Sequence, residues 1–396
     1  MSKLAIHGGT PVRDIPISYG RQWLDDQDIA EVVNVLKSDW LTTGPTVDRF
    51  EKSFAEYVGT KEAVSVSNGT AALHAAMYAL EIGSGDEVIV PSMTFASTAN
   101  CVVFQGGTPV FADVEPDTLL VDPTSVKKKI TSKTKAIIAM DYAGQPCHYN
   151  ALQTIAERNG LPVVADACHA LGGSYHGRKV GSLAALNTFS FHPVKPMTTG
   201  EGGMVTTNDA KLAKRMRTFR NHGIANDFRQ RDGQNSWFYE MTDLGYNYRL
   251  SDTQCALGLS QLKKLEEFIR RRQQIASLYN QAFKENTGFF PLTIREGTSS
   301  AYHIYVILLN LEKLRVNRGE IFKALRAEGI GVNVHYVPVH LHPYYKKKFG
   351  TKPGDCPAAE HAYERALTLP LYPKMTDKDI ADVSAAVNKV LNFFLK

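Results

Sequence analysis

A single lysine near the middle of the chain stands between two segments that suit it for covalent chemistry. Lys195 follows an apolar, strand-like run at residues 188–191 and precedes a glycine-rich turn at residues 200–203. A lysine withdrawn from water keeps more of its amine neutral, and only the neutral amine attacks a carbonyl. This pattern favours a Schiff base with an aldehyde cofactor, although a lysine in a solvent-facing loop would have the same neighbours.

The segment Ser67-Asn-Gly-Thr70 is a candidate anion site, because it lies where a strand-like run passes into a helix-patterned segment. Free backbone amides and the helix dipole attract a phosphate at such a junction. An ordinary helix cap would have the same sequence. One helix terminus contributes only about 0.3–1 kcal/mol to holding a charge. A phosphate therefore needs further donors, and Ser190 is a candidate.

Three more side chains could contact an aromatic cofactor, and each has a structural alternative. Asp166 ends an apolar strand, where a buried carboxylate is costly unless it is paired. A protonated pyridine nitrogen would be such a partner, and capping a helix is the alternative. His169 could hydrogen-bond a phenolic oxygen or orient Asp166, or be a buried structural histidine. Phe95 could stack on an aromatic ring or belong to the core.

The elements that must position these residues follow from the pattern of apolar residues. Short apolar strands alternate with helix-patterned segments over residues 62–209, which indicates a parallel sheet covered on both faces. In such sheets ligands bind beyond the carboxyl ends of the strands. Helical spacing dominates residues 251–284, and a smaller α+β unit follows, with strand-like runs at residues 303–309 and 331–337. The last helix begins at Thr376 with a capping box.

Composition limits the other classes of function. With 43% apolar and 21% charged residues the chain is globular, and no segment approaches the about 18 apolar residues of a membrane span. The net charge of +5 is spread out, and the basic clusters lack interleaved aromatics, which argues against nucleic acid. Five cysteines without a CxxC pair predict reduced thiols in a cytoplasmic protein. Near His335, His340 and His342 no further ligands complete a metal site, so no metal is expected.

In chain order the sequence offers a phosphate turn, an aromatic ring, an aspartate at a strand end, a serine and a lysine. This order resembles the fold-type I enzymes that depend on pyridoxal 5'-phosphate, and more closely the nucleotide-sugar aminotransferases of the DegT/DnrJ/StrS family. The resemblance covers the chain from about Pro16 onward. The matching motifs are Ser67-Asn-Gly-Thr-Ala-Ala-Leu73, Pro91-Ser-Met-Thr-Phe-Ala-Ser-Thr-Ala-Asn100, Val164-Ala-Asp-Ala-Cys-His-Ala170, Ser190-Phe-His-Pro-Val-Lys195, Leu244-Gly-Tyr-Asn-Tyr-Arg-Leu-Ser251 and Val334-His-Tyr-Val-Pro338.

The resemblance implies an α/β fold with a mostly parallel central sheet, helices on both faces and a smaller C-terminal α+β domain. Residues 16–250 would form the large cofactor-binding domain, and residues 251–396 the long helix and the small domain. Lys195 would be the Schiff-base lysine and proton shuttle, and Asp166 the partner of the pyridine nitrogen. His169 would face the ring oxygen, where many relatives carry glutamine.

The remaining site residues implied by the resemblance concern the phosphate and the ring. Gly69, Thr70 and Ser190 would hold the phosphate, and Phe95 would cover the ring. Asn247 matches the asparagine that reaches into the phosphate site of the neighbouring subunit. The resemblance therefore implies a homodimer with two shared active sites.

Within the family, the runs at residues 141–146, 244–265 and 335–344 look closest to the C4 aminotransferase branch of pseudaminic acid biosynthesis. That branch implies ping-pong amino transfer from L-glutamate to the C4 ketone of a UDP-linked 4-keto-6-deoxy-N-acetylhexosamine. The alternatives are an aminotransferase for a dTDP- or GDP-linked 4-keto sugar and a non-catalytic regulator. A related dehydratase would carry histidine in place of Lys195. A cysteine desulfurase would need a reactive cysteine, for which Cys356 is the only candidate.

Overall fold

A seven-stranded sheet forms the centre of the structure, a computed structural model that describes residues 3–225, 229, 233 and 235–396. The described strands are β1 (Glu62–Val66), β2 (Glu87–Pro91), β3 (Thr108–Ala112), β4 (Thr134–Met140), β5 (Val163–Asp166), β6 (Ser174–Tyr175), β7 (Arg178–Lys179), β8 (Leu186–Ser190), β9 (Gly203–Thr207), β10 (Phe289–Pro291), β11 (Thr298–Ser299), β12 (Tyr305–Leu309) and β13 (Ala366–Leu369). The central sheet has the order β1-β9-β8-β5-β4-β2-β3. All its neighbouring pairs are parallel except those that β9 makes with β1 and β8.

Helices separate most of the parallel strands, as the alternating pattern predicts. The described helices of seven or more residues are α1 (Asp26–Leu36), α2 (Pro45–Val58), α3 (Gly69–Ala79), α4 (Ser97–Phe104), α5 (Pro123–Lys129), α6 (Tyr149–Arg158), α7 (Ala210–Phe219), α8 (Asp252–Ala282), α9 (Arg318–Ala327), α10 (Pro343–Phe349), α11 (Pro357–Arg365) and α12 (Asp377–Phe394). Strands β4 and β5 are almost wholly buried, because helices cover their side chains on both faces. The predicted fold class is confirmed.

The long helix α8 belongs to both hydrophobic cores of the molecule. Its first half contributes Leu265 and Ile269 to the cluster around the central sheet. Its second half contributes Ile275 and Tyr279 to a second cluster, built on the sheet of strands β10, β12 and β13. Helix α8 therefore joins the two units directly. The division of the chain at residues 250 and 251 stays a prediction.

The first residue of α8 also binds the start of α2. The Asp252 carboxylate accepts hydrogen bonds from the backbone amides of Gly44 and Thr46, at 2.7 and 2.9 Å, and so satisfies donors at the start of α2. Ser251 and Gln254 form a capping box at the start of α8 itself. The same device begins α12, where Thr376 and Asp379 form the predicted capping box.

One expected strand is absent from the structure. Residues 331–337 were expected to form a strand, but among the described residues they make only an isolated bridge between Asn333 and Thr368. Four consecutive residues of this segment, from Asn333 to Tyr336, line a cavity. Along the described parts of the chain, every helix is too short or too polar to cross a membrane.

Candidate active site

A cavity of about 850 Å³ lies at the carboxyl ends of the central strands. Strands β4, β5 and β8 direct Met140, Asp166 and Ser190 into it, and the start of α3 forms one wall. The structure brings seven of the predicted site residues together around this cavity: Gly69, Thr70, Phe95, Asp166, His169, Ser190 and Lys195. Asn247 is not among the lining residues. Side chains of the C-terminal unit, from His303 and residues 333–336, close the opposite wall.

Lys195 is a partly exposed residue that lines the cavity just beyond β8. Its backbone amide donates to the carbonyl of His192 at 2.9 Å, which fixes the turn that carries it. Burial lowers the pKa of Lys195 against the opposing attraction of Asp166. Because a lower pKa leaves more of the amine neutral, this lysine suits nucleophilic attack on a carbonyl better than a surface lysine does.

Asp166 is 2% exposed at the end of β5. The hydroxyl of Thr98 donates to Asp166 Oδ2 at 2.6 Å, and the backbone amide of Cys168 donates to Oδ1 at 3.3 Å. Neither donor carries a charge, and among the described residues none forms a salt bridge with this carboxylate, although Lys195 lies near enough to attract it. A buried carboxylate without a cation is costly. Asp166 is therefore suited to face a positive charge inside the cavity.

His169 lies in a group of neutral histidines beside the cavity. Its Nε2 is 2.9 Å from the hydroxyl of Tyr336, and its ring centre is 4.3 Å from that of His303. Burial lowers the pKa of His169 and of His303 well below the ordinary value, and that of His335 to about 4. These rings therefore act as neutral hydrogen-bonding groups near pH 7.

One of the two interpretations of His169 is not supported by its contacts. The carboxylate of Asp166 is held by Thr98 and Cys168, so the described hydrogen bonds give His169 no part in orienting it. Instead, His169 Nδ1 is buried and has no hydrogen-bond partner among the described residues. A buried ring nitrogen without a partner is costly. This atom is available to a group bound in the cavity.

The predicted anion site forms a tight corner between α3 and β8. Asn68 caps α3 by accepting from the amide of Ala71 at 2.8 Å. A Cβ atom on Gly69 would lie 2.7 Å from the Cβ of Ser190, so only glycine fits at this position without a shift. The start of an 11-residue helix and the hydroxyl-bearing Thr70 and Ser190 thus line the same end of the cavity. This corner has the donors that a phosphate requires.

Phe95 and Asn247 are both exposed, in different surroundings. The side chain of Phe95 is 55% exposed and lines the cavity, so it is not a core residue. Its ring centre lies 5.8 Å from that of Tyr336. Asn247 follows an exposed apolar run that includes Trp237 and Leu244, and it lies outside the cavity.

Sequence reasoning missed three residues that contact the predicted ones. Thr98 binds Asp166, His303 packs against His169, and Tyr336 hydrogen-bonds His169. Of these three residues, only Thr98 could have been found from the sequence. It lies in the first turn of a helix, four residues after Thr94, and residues at this spacing can lie on the same side. The contacts of His303 and Tyr336 join segments far apart in the chain.

The chain belongs to the DegT/DnrJ/EryC1/StrS aminotransferase family, whose model it matches over residues 22–388. It is 42% identical over 377 residues to the spore coat polysaccharide biosynthesis protein SpsC of Bacillus subtilis, covering 95% of this chain and 97% of SpsC. Its structure resembles that of PseC from Helicobacter pylori, an aminotransferase involved in the biosynthesis of pseudoaminic acid. The TM-score is 0.89 with 34% identity, over 96% of this chain and 100% of PseC.

A third relative is a putative sugar aminotransferase, Spr1654 of Streptococcus pneumoniae, solved in its PMP form. It has a TM-score of 0.89 and 32% identity, over 95% of this chain and 99% of the other. The protein described here is a sugar aminotransferase that depends on pyridoxal 5'-phosphate.

The residues around the cavity fit this cofactor. Asp166 offers a buried carboxylate that forms no salt bridge with a described residue, which suits a protonated pyridine nitrogen. His169 Nδ1 lacks a partner, which suits a ring oxygen. The close approach of Gly69 to Ser190 leaves helix amides open to a phosphate.

A second carboxyl group, behind the cavity, is buried without a counter-charge. Asp141 follows β4 and is fully buried. Its Oδ1 accepts from the amide of Cys147 and the hydroxyl of Tyr149, each at 2.9 Å, while Oδ2 has no partner among the described residues. Burial raises the pKa of Asp141 to about 7. The folded protein therefore keeps a proton on Asp141 that the unfolded chain releases near pH 4.

We expect Asp141→Asn to gain stability relative to the wild type as the pH rises from about 4 to 7. In this window the folded wild type binds more protons than the unfolded chain. Its free energy of unfolding therefore falls by up to about 1.4 kcal/mol per pH unit. Asparagine does not titrate, so the variant lacks this contribution to the fall. Urea midpoints at pH 5 and pH 7.5, with saturating cofactor, measure the difference. Asp209→Asn at an exposed helix cap is the control. A difference that stays constant or shrinks with pH contradicts this assignment.

Proposed function

We propose that the protein transfers an amino group from L-glutamate to the C4 ketone of a UDP-linked 4-keto-6-deoxy-N-acetylhexosamine, in the pathway to pseudaminic acid. The observation that carries amino transfer is the meeting of Lys195, Asp166 and the Gly69–Ser190 corner in one cavity. The likeness to PseC supports the choice of sugar, together with the runs at residues 141–146, 244–265 and 335–344.

Each residue of the cavity has a defined task in this proposal. Bound pyridoxal 5'-phosphate supplies an aldehyde that accepts the amino group and a ring that withdraws electrons from the carbon losing its proton. Lys195 Nζ would hold the cofactor through its aldehyde carbon and would serve as the base that moves a proton between carbons. Asp166 would favour a positive charge on the pyridine nitrogen by facing it with a carboxylate.

The other side chains hold and orient the cofactor. The start of α3 at Gly69, with the hydroxyls of Thr70 and Ser190, would hold the phosphate. Phe95 would cover one face of the ring. His169 would donate from Nδ1 to the ring oxygen while Nε2 accepts from Tyr336. Because burial lowers the pKa of His169, it makes these bonds as a neutral ring.

We expect Lys195→Ala to lose turnover by several orders of magnitude while it keeps the fold, because the variant lacks both the anchor and the proton carrier. The variant should also lose the visible absorption of lysine-bound cofactor and release the cofactor on dialysis. Absorption spectra, dialysis and turnover measure these effects, with circular dichroism to check the fold. Lys133→Ala, at an exposed position, is the matched control. Near-native turnover of Lys195→Ala would contradict the role of Lys195.

We also propose that two copies of the chain share their active sites. Asn247 lies outside its own cavity, beside exposed apolar side chains such as Trp237, Met241 and Leu244, which are 87, 66 and 71% exposed. Apolar surface of this kind is typical of an interface. In the proposed dimer the side-chain amide of Asn247 donates to the phosphate bound by the partner subunit. This role would account for its position outside the cavity of its own chain.

We expect inactive Lys195→Ala and Asn247→Ala proteins to regain activity when their subunits exchange. Each mixed dimer has one site with both changes and one site with neither, so an equal mixture should reach about a quarter of wild-type activity. A mixture of Lys195→Ala and Asp166→Asn is the control, because both residues belong to one cavity and neither site is restored. Exchange is followed by native mass spectrometry. Absence of recovery despite exchange, or a monomer in light scattering, excludes shared sites.

The choice of sugar depends on the wall formed by the C-terminal unit. His303, Asn333, His335 and Tyr336 bring several polar atoms to the cavity opposite Lys195. Burial keeps the histidines neutral, so these groups recognise a sugar through hydrogen bonds rather than through charge. A site that hydrogen-bonds one arrangement of hydroxyls leaves buried polar atoms unpaired with its epimer.

We expect glutamate-dependent amination of the UDP-linked 4-keto-6-deoxy-N-acetylhexosamine with L-arabino configuration. The D-xylo epimer should react at least about tenfold more slowly, because it leaves hydrogen-bonding groups of the wall unpaired. Mass spectrometry of parallel reactions measures both products. dTDP- and GDP-linked 4-keto-6-deoxy sugars serve as controls for the nucleotide. Preference for the D-xylo ketone or for another nucleotide would leave amino transfer intact and refute this substrate.

A further inference from the structure

Two buried threonines form a hydrogen-bonded chain that ends on Asp166. The hydroxyls of Thr94 and Thr98 are 2.6 Å apart, and the Thr98 hydroxyl is 2.6 Å from Asp166 Oδ2. Thr94 is 1% exposed and Thr98 is fully buried. An ionised carboxylate only accepts hydrogen bonds, so Thr98 must give its single proton to Asp166. The oxygen of Thr98 then accepts from Thr94, which gives the chain one direction.

The turn between β2 and α4 sets the geometry of this chain. Thr94 lies in the connection and Thr98 in the first turn of α4, where its amide donates to the carbonyl of Phe95 at 3.1 Å. The same turn therefore presents Phe95 to the cavity and both hydroxyls to Asp166. A shift of this turn would therefore move Phe95 at the cavity and the hydroxyl of Thr98 at Asp166 together.

Thr98 makes the shorter of the two hydrogen bonds to the carboxylate. The other donor, the backbone amide of Cys168, is 3.3 Å from Oδ1. Hydrogen bonds to an ionised carboxylate favour its charged form and are stronger than those between neutral groups. Oδ1 is the less tightly held oxygen, because its described donor is the more distant amide of Cys168.

We propose that Thr98, supported by Thr94, is a positioning residue that holds the carboxylate of Asp166 turned toward the pyridine nitrogen of the cofactor. The inference rests on the proposed role of Asp166. In this arrangement Thr98 fixes the orientation of the carboxylate through Oδ2, and the carboxylate faces the positive charge of the pyridine nitrogen. Thr98 acts only through Asp166 and touches neither the cofactor nor the substrate.

The test replaces the hydroxyl without changing the shape of the side chain. In Thr98→Val the carboxylate loses its short hydrogen bond, whereas Thr98→Ser keeps it. With cofactor labelled with nitrogen-15 in its ring, we expect the NMR signal of Thr98→Val to show loss of the ring proton at a lower pH than in the wild type. The value of kcat should fall roughly tenfold to hundredfold. Thr98→Ser should restore both within about threefold, and Thr94→Val should give a smaller loss.

Asp166→Asn, measured in parallel, separates this inference from the proposed function. If Asp166→Asn turns over at the wild-type rate, the role of Asp166 itself is wrong. If Asp166→Asn is impaired while Thr98→Val keeps the wild-type nitrogen signal and kcat, only the role of Thr98 is overturned. Equal losses in Thr98→Val and Thr98→Ser also overturn it, since packing rather than the hydroxyl would then matter. Should Thr98→Val not fold, Thr98→Ala carries the same expectation and the same outcomes.

Discussion

The site depends on one electrostatic constraint, a carboxylate buried at the end of a central strand that forms no salt bridge with a described residue. Asp166 is 2% exposed and receives only uncharged donors, from Thr98 and from the amide of Cys168. Burying such a charge is tolerable only when hydrogen bonds and an opposite charge compensate it. The position of β5 in the middle of the sheet, and the helices on both faces, create the burial that makes a bound cation valuable.

The same environment acts in the opposite direction on the bases around it. Burial lowers the pKa of Lys195 and of three histidines that line the cavity, His169, His303 and His335, which shifts each of these bases toward its neutral form. Desolvation disfavours the charged form of each of these bases. In the same surroundings Asp166 receives a short hydrogen bond from Thr98. One buried site thus combines bases of lowered pKa with a hydrogen-bonded carboxylate.

The parts of the fold that could be predicted from sequence are those that local patterns determine. Alternating strands and helices, the helix starts at Ser251 and Thr376, and the strand ends carrying Asp166 and Lys195 all follow from residues within a few positions of one another. Contacts across the chain could not be predicted in this way. Thr98 lies 68 residues from Asp166, and Tyr336 lies 167 residues from His169. Residues 331–337 have the composition of a strand, yet they make one isolated bridge, and residues 333–336 line the cavity.

Helix α8 has a consequence for how this enzyme recognises its ligands. At 31 residues it is about 46 Å long, and it runs through both hydrophobic clusters without interruption. Between the two clusters, the buried Arg272 of α8 donates through Nη1 to the carbonyls of His303 and Leu371. These hydrogen bonds connect the middle of the helix to His303, which lines the cavity. A hinge between the two units would have to bend this helix or break the hydrogen bonds of Arg272. This continuous connection favours a cavity that is preorganised for its ligands.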